Sequence, residues 1–399
     1  MQHILLEGDG AETSALSMAT LAHPPSRRHV ARRRPIPPRL SPARRLRRVV
    51  VLAVLICLMP VSISYLLTVT SPSNSSFTIQ TFEWLRSNGA ARIATRIEDI
   101  YYSLTAPSTG GPALKHLALA QRGAAVAAVH PPDIAPLITP ALPGEGVWIP
   151  SETWSGNDPP VQITQFRSDP LYPQMVAGVA WIDTARTRIT LNPGALEPDV
   201  VLPRGTEDVP EALRSRLLAT FNSGFKLEDD GGGFVVGGRT YASLHDGQAT
   251  IVGYRDGRVD VISWTGGPTA PSDVQWARQN LPLIVEGGHL NPNLSDGPAW
   301  GVTVDNAIRV WRSGVGVDAH GDLIYAAADN QTVSSLAQIL LRAGAVRAME
   351  LDINSYWDSF ITYALPGAGK PGNLLPDMVR TPYRYLTPDD RDFFAVYLR

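Results

Sequence analysis

"TVSSLAQILLRAGAVRAMELDIN", residues 332–354, changes its hydrophobic period in mid-course, and that change decides the fold class. Leu336, Ile339, Leu340 and Ala343 recur at helical spacing behind Thr332 as N-cap, and Gly344 is placed to end the helix. From Val346 onward the period is two. Met349, Leu351 and Ile353 alternate with Glu350, Asp352 and Asn354, so a strand would send two carboxylates and an amide to one face. An edge strand with one wet face reads the same way, and this stretch alone does not separate that from a functional face.

Strands dominate the rest of the carboxy-terminal region. "GGFVVGGRTYASL" turns at Gly237-Gly238, "GQATIVGYRDGRVDVISW" at Asp256-Gly257, and "AIRVWRSGVGVDAHGDLIYAAA" near His320-Gly321. The expectation is an α+β fold of mixed, largely antiparallel sheets with few helices. No repeat of fixed period is present, which argues against a propeller or solenoid.

The 399 residues are 44% hydrophobic and 18% charged, ample for a globular domain with appendages. The net charge of −2 hides an asymmetry, because residues 1–48 hold ten Arg against Glu7, Asp9 and Glu12. The remainder is mildly acidic, so no nucleic-acid partner is expected. Residues 49–70, "VVVLAVLICLMPVSISYLLTVT", carry no charge and as a helix would be about 33 Å long, enough to cross a bilayer. The Arg-rich flank orients the amino terminus to the cytoplasm and the bulk outside. The reading is a basic cytoplasmic tail (1–48), a signal anchor in the plasma membrane (49–70), juxtamembrane helices with a Pro/Ala/Gly-rich linker (71–140) and a domain at 141–399. In the juxtamembrane part Ile93, Ile97, Ile100 and Tyr101 have helical spacing, with a break at Asn88-Gly89. A cleaved signal peptide is the rival, though its charged leader would be unusually long. Cys57, the single cysteine, lies inside the span, which excludes disulfide, thiol and Cys-ligated zinc chemistry outside it. No cofactor or metal is expected.

Four polar, glycine-marked stretches stand at the ends of apolar strands: "TFNSGFK" (220–226), "LIVEGGHL" (283–290), "RVWRSGVGVD" (309–318) and "MELDINSYW" (349–357). Glycine there permits a sharp turn or close approach of a ligand. Singly, each reads as well as an ordinary turn or surface group. "DDGGGF" (229–234) lacks the following Lys and Ser/Thr of a phosphate loop and reads as a loop.

In order, these stretches resemble the phosphodiester glycosidase family over roughly residues 140–399. The family's Asn-Gly-Gly-Phe-like turn is "FNSGF" here, its Arg-led glycine strand is "RSGVGVD", and its Leu-Asp strand end is "ELD". The resemblance implies Asn222, Arg312 and Asp352 as active-site residues. The family's glycine-rich run after the Asp is replaced by "DINSYW", so Asn354 and Trp357 reshape the pocket. Glu350, Asn354, Glu286 and His289 are the further candidates for substrate contact.

The resemblance implies a glycan or sugar-phosphate substrate, and these residue types suit it. A sugar linked through its anomeric carbon to a phosphodiester has a good leaving group, a phosphate monoester with a second pKa of about 6. Arg312 offers a permanently charged bidentate fork for the phosphate. Asp352 is the nucleophile or general base, and Asn222 orients a sugar hydroxyl or the phosphate. Glu350 is two residues from Asp352, roughly 6.6 Å along a strand, between the retaining and inverting carboxylate separations. The alternatives are an ordinary glycosidase using Asp352 with Glu350 or Glu286, and a non-catalytic envelope glycan-binding module.

Overall fold

The computed structural model describes residues 41–399 except 72, 91–92, 95, 98–107, 111–113, 122–129, 153, 155–157, 202–206, 296 and 302–308. Helix α1 (Pro42–Thr70) contains the whole uncharged run, with Pro60 inside it. Among the described residues it is the one helix long and apolar enough to cross a membrane. Ser76 caps helix α2 (Phe77–Leu85), its side chain accepting from the Ile79 N–H. The helical turns after it break at Asn88-Gly89, where Gly89 has φ +81°. Ile93 and Ile97 are exposed, while Ile100 and Tyr101 lie outside the described residues.

Among the described residues the strands form three sheets, and every pairing among them is antiparallel. The first runs β1 (Ile149–Pro150), β2 (Val161–Arg167), β3 (Val176–Ile182), β14 (Leu323–Gln331), β13 (Val310–Val317), β15 (Arg347–Glu350), β11 (Leu283–Glu286), β12 (His289–Leu290). The second runs β7 (Arg239–Ala242), β6 (Phe234–Val236), β10 (Val274–Asn280), β8 (Ala249–Tyr254), β9 (Val259–Ser263). The third runs β17 (Gly369–Asn373), β16 (Phe360–Ala364), β5 (Leu217–Asn222), β18 (Phe393–Leu398), β4 (Thr187–Asn192). All three expected hairpins are present at their glycine turns.

One core joins the three sheets, with Ile163 and Ile182 from the first, Ile251 and Trp276 from the second, and Phe221 and Phe394 from the third. Helix α3 (Val333–Arg342) covers the other face of the first sheet, setting Leu336, Ile339 and Leu340 against Val179, Ile324 and Ala326. Thr332 caps it through a reciprocal box, in which Thr332 Oγ1 accepts from the Ser335 N–H and Ser335 Oγ from the Thr332 N–H. Gly344, at φ +102°, turns the chain into β15. Ile134, within the stretch read as linker, is buried in the same cluster as α3.

The glycines of "RSGVGVD" are explained by this packing. A Cβ on Gly314 would stand 2.9 Å from both Leu340 Cδ1 and the Met349 carbonyl oxygen, and one on Gly316 2.6 Å from the Arg347 carbonyl oxygen. They admit α3 and β15, where the sequence had left open the approach of a ligand.

Strand β15 stops at Glu350, earlier than the alternation implied, although the Leu351 N–H still donates to the Ser313 carbonyl (2.8 Å) and the Asp352 carbonyl still accepts from the Ser313 N–H (3.1 Å). On its other side the Asp352 N–H donates to the Ser223 carbonyl at 3.2 Å. Asn354 then folds the chain back, its Oδ1 accepting from the Tyr356 N–H at 2.9 Å.

Candidate active site

The ends of β5, β13 and β15 meet at one place. In β13, Trp311, Val315 and Val317 point into the three-sheet core, so alternation sends Ser313 the same way and Arg312 toward the helix side. In β15, Met349 faces the core and Ala348 the helix side, which puts Glu350 on the side of Arg312. Asp352 lies past the strand end, beside the turn that carries Asn222.

Asn222 is 2% exposed, Arg312 4% and Asp352 5%. The Asn222 amide is saturated by the protein. Its Nδ2 donates to Ser313 Oγ (2.9 Å) and the Ser223 carbonyl (3.0 Å), and its Oδ1 accepts from Tyr325 Oη–H (2.9 Å) and the Ser359 N–H (3.0 Å). Four bonds are the full capacity of this side chain. It therefore ties β5 to β13, β14 and the start of β16.

Arg312 donates from Nη1 to the Glu350 carboxylate and, at 3.4 Å, to the Trp300 carbonyl, and from Nε to the Gln331 carbonyl at 3.1 Å. Glu350 is wholly buried, and its second oxygen has no partner among the described residues. Burial pushes its carboxyl up to about 7 against the pull of Arg312, and the Asp352 charge adds to the rise.

Ser313 Oγ lies 2.8 Å from the Asp352 carbonyl oxygen and 2.9 Å from Asp358 Oδ1, while accepting from Asn222. One hydroxyl proton cannot serve both oxygens. The count closes if Asp358 carries a proton and donates to Ser313 Oγ, leaving the Ser313 proton for the Asp352 carbonyl. Burial, reinforced by the nearby Asp352 charge, holds the Asp358 carboxyl well above the usual range, which agrees with that count.

Asp352 Oδ1 accepts from the Asn354 N–H at 3.0 Å and Oδ2 from Arg391 Nη2 at 2.9 Å. Burial raises its carboxyl, and Arg391 is the largest influence opposing the rise. Asn280 braces the same loop, its Nδ2 donating to the carbonyls of Glu350 (2.8 Å) and Leu351 (3.2 Å).

The stretch leading into α2 is seated on this corner. Ser73 and Ser75 donate to Asp390 Oδ2 at 2.6 and 2.7 Å, the Ser76 N–H donates to Tyr356 Oη at 3.1 Å, and Lys226 Nζ pairs with Glu83 at 2.8 Å.

Thus Asn222, Arg312, Glu350, Asp352 and Asn354 come together. Glu286 and His289 stand exposed on the β11–β12 hairpin. The Gly288 N–H there donates to the Val346 carbonyl, which places that hairpin tip at the end of β15 remote from Glu350. Sequence reading missed Ser313, Asp358, Asn280 and Arg391. Ser313 follows the motif Arg directly, and Asp358 closes the aromatic run "SYWD". Arg391 sits in "DDRD", which reads as a solvated charge run. Among the described residues no group of three or more His, Cys, Asp or Glu is arranged to hold a metal ion.

Residues 215–352 match the phosphodiester glycosidase family. No curated protein sequence matches the chain. Among solved structures the chain is similar to the catalytic domain of zebrafish N-acetylglucosamine-1-phosphodiester alpha-N-acetylglucosaminidase, which is auto-inhibited by its pro-peptide, at 15% identity over 61% of this chain and 85% of that one (TM-score 0.40). It is also similar to a hypothetical protein from Synechocystis, at 14% identity over 61% of this chain and 63% of that one (TM-score 0.37).

Proposed function

We propose, from the phosphodiester glycosidase family of hydrolases to which residues 215–352 belong, that this protein cleaves a sugar-1-phosphate diester at the anomeric carbon. The carrying observation is the joining of Asn222, Arg312 and Asp352, from three separate sequence motifs, through Ser313 and Glu350 at one corner of the sheets.

In this reading Asp352 attacks the anomeric carbon or takes a proton from water, and its ion pair with Arg391 keeps the carboxylate available. Arg312 meets the phosphate. Its Nη1 now rests on Glu350, whose carboxyl near 7 takes up a proton readily when an arriving phosphate competes for the same guanidinium. Asn222 organises the corner through its four protein bonds. The departing phosphate monoester needs little protonation to leave. Asn354 shapes the loop beside Asp352.

Helix α1 supports a membrane anchor with the domain on the extracytoplasmic side of the plasma membrane, given the ten Arg before residue 49. An envelope or exported glycan then falls within reach. The test is to incubate the detergent-solubilised full chain with sugar-1-phosphodiesters and follow the products by ³¹P NMR. Conversion of diester to monoester with release of free sugar is expected. Binding without conversion across a panel of such diesters would favour a non-catalytic glycan-binding module.

A further inference from the structure

Arg391 lies outside residues 215–352, in the segment entering β18, yet it reaches the centre of the site. Its Nη2 donates both to Asp352 Oδ2 (2.9 Å) and to the Gly224 carbonyl (3.0 Å), joining the carboxylate to the "FNSGF" turn. Its guanidinium carbon stands 5.1 Å from the centre of the Trp357 ring, a distance at which cation and aromatic face attract.

Trp357 belongs to "DINSYW", the stretch that replaces a glycine-rich run. The same indole faces Arg384 at 5.2 Å and Arg380 at 5.4 Å. Asp389 gathers the group from below. It accepts from Arg384 Nε (2.7 Å) and Nη2 (3.0 Å), from Arg380 Nη2 (3.2 Å) and from the Arg391 N–H (3.0 Å). The backbone of Arg391 is also closely packed, since a Cβ on Gly194 would fall 2.4 Å from its carbonyl carbon. Arg391 is thus fixed at its backbone by Asp389 and Gly194 and at its head by Trp357, Gly224 and Asp352.

We propose that Arg391, standing on Trp357, is the positioning residue of Asp352: it aims the carboxylate and keeps it ionised in a buried corner. The proposal rests on the reading of Asp352 as the attacking or basic group. The charged surroundings are these. Asp352 faces Arg391 and Arg384, with the carboxyls of Glu350 (β15) and Asp358 close by and Arg312 (β13) near both of them. Arg391 faces, besides Asp352, Glu197, Asp392 and Glu83 of α2. Removing Arg391 leaves Asp352 desolvated among acidic neighbours, and such a carboxyl holds its proton to higher pH.

The test uses the full chain in detergent with ¹³C-carboxyl-labelled aspartate. The Asp352 resonance is identified by its loss in Asp352→Asn, and its titration is followed in wild type, Arg391→Met and Arg391→Lys. Arg391→Met should move the Asp352 titration upward by at least about one pH unit, the lower range for an opposite charge at this distance. Arg391→Lys should keep most of the ionisation but lower kcat, because the shorter side chain with its compact ammonium loses the planar guanidinium's reach and its seat on the Trp357 ring, and so aims Asp352 less well. If Arg391→Met does not fold, Arg391→Lys alone decides, and wild-type kcat together with an unmoved Asp352 resonance overturns the proposal. An unmoved resonance in a folded Arg391→Met overturns it as well. A different failure is recognisable separately. If the resonance moves as expected but Asp352→Asn retains full turnover, the Arg391–Asp352 coupling stands and the catalytic reading of Asp352 falls.

Discussion

Arg312 of β13 donates to the Glu350 carboxylate of neighbouring β15, and neither side chain is accessible to solvent beyond a few per cent. A buried ion pair of this kind adds little net stability, but removing one partner strands the other charge at a cost of about 3–5 kcal/mol. The pair therefore constrains what substitutions at the site can report, and it separates a phosphate-gripping Arg from a merely structural one.

Arg312→Lys retains the charge and loses the fork. If Arg312 meets the substrate phosphate, kcat/KM on a phosphodiester should fall by about 1.5–3 kcal/mol in barrier, the worth of a hydrogen bond to a charged group. Activity on a substrate lacking phosphate should fall much less. Equal losses on both would assign Arg312 to holding β13, β15 and Gln331 in place.

Asp352→Asn is isosteric and removes the charge needed for attack or proton abstraction. A loss of at least about 10²-fold in kcat is expected, with the fold retained at a lowered thermal unfolding midpoint, because the buried Arg391 loses its partner charge. Wild-type-like turnover would take Asp352 out of the mechanism.

Asp358→Asn should behave in the opposite way. The bond count at Ser313 requires a donor at position 358, and an Asn amide N–H donates there as a protonated carboxyl does. Activity within a few-fold of wild type is predicted, with equal or higher stability at pH 8. A loss comparable to that of Asp352→Asn would mean that Asp358 acts as an ionised carboxylate.

Glu350 makes stability depend on pH with a definite sign. Its folded carboxyl titrates near 7, above an ordinary value near 4.3, so the native state binds the extra proton between these limits. The stabilisation from the neutral form is fully present below the ordinary value and is lost as pH rises through about 7, at no more than about 1.4 kcal/mol per pH unit. Thermal melts from pH 5 to 8.5 should show the midpoint falling with pH more steeply in wild type than in Glu350→Gln. Parallel curves would place the titration elsewhere.

Much of this arrangement is legible in the sequence, because it is written in local periods. The change from 3.6 to 2 across Gly344 gave α3 and β15, and paired glycines gave the hairpins. Asn222, Arg312 and Asp352 could be found because each sits in a short motif. What could not be read depends on partners far along the chain. The saturation of Asn222 needs Ser313, Tyr325 and Ser359, and the ion pair of Asp352 needs Arg391, 39 residues away. Nothing local distinguishes the buried "DDRD" from a solvated turn. The glycines of β13 were visible, but only the packing of α3 and β15 shows what their missing side chains make room for.

The central claim is that this corner of the fold works on a phosphate-bearing glycoside, and the direct measurement is a ratio. For the full chain in detergent, kcat/KM is compared between a sugar-1-phosphodiester and the aryl glycoside of the same sugar and anomeric configuration, in wild type and Arg312→Lys. The account predicts a wild-type preference for the phosphodiester of at least about tenfold, matching the lower range of a charged hydrogen bond, and a marked shrinking of that preference in the variant. Equal rates on both substrates, or a preference for the aryl glycoside that Arg312→Lys leaves unchanged, would contradict it.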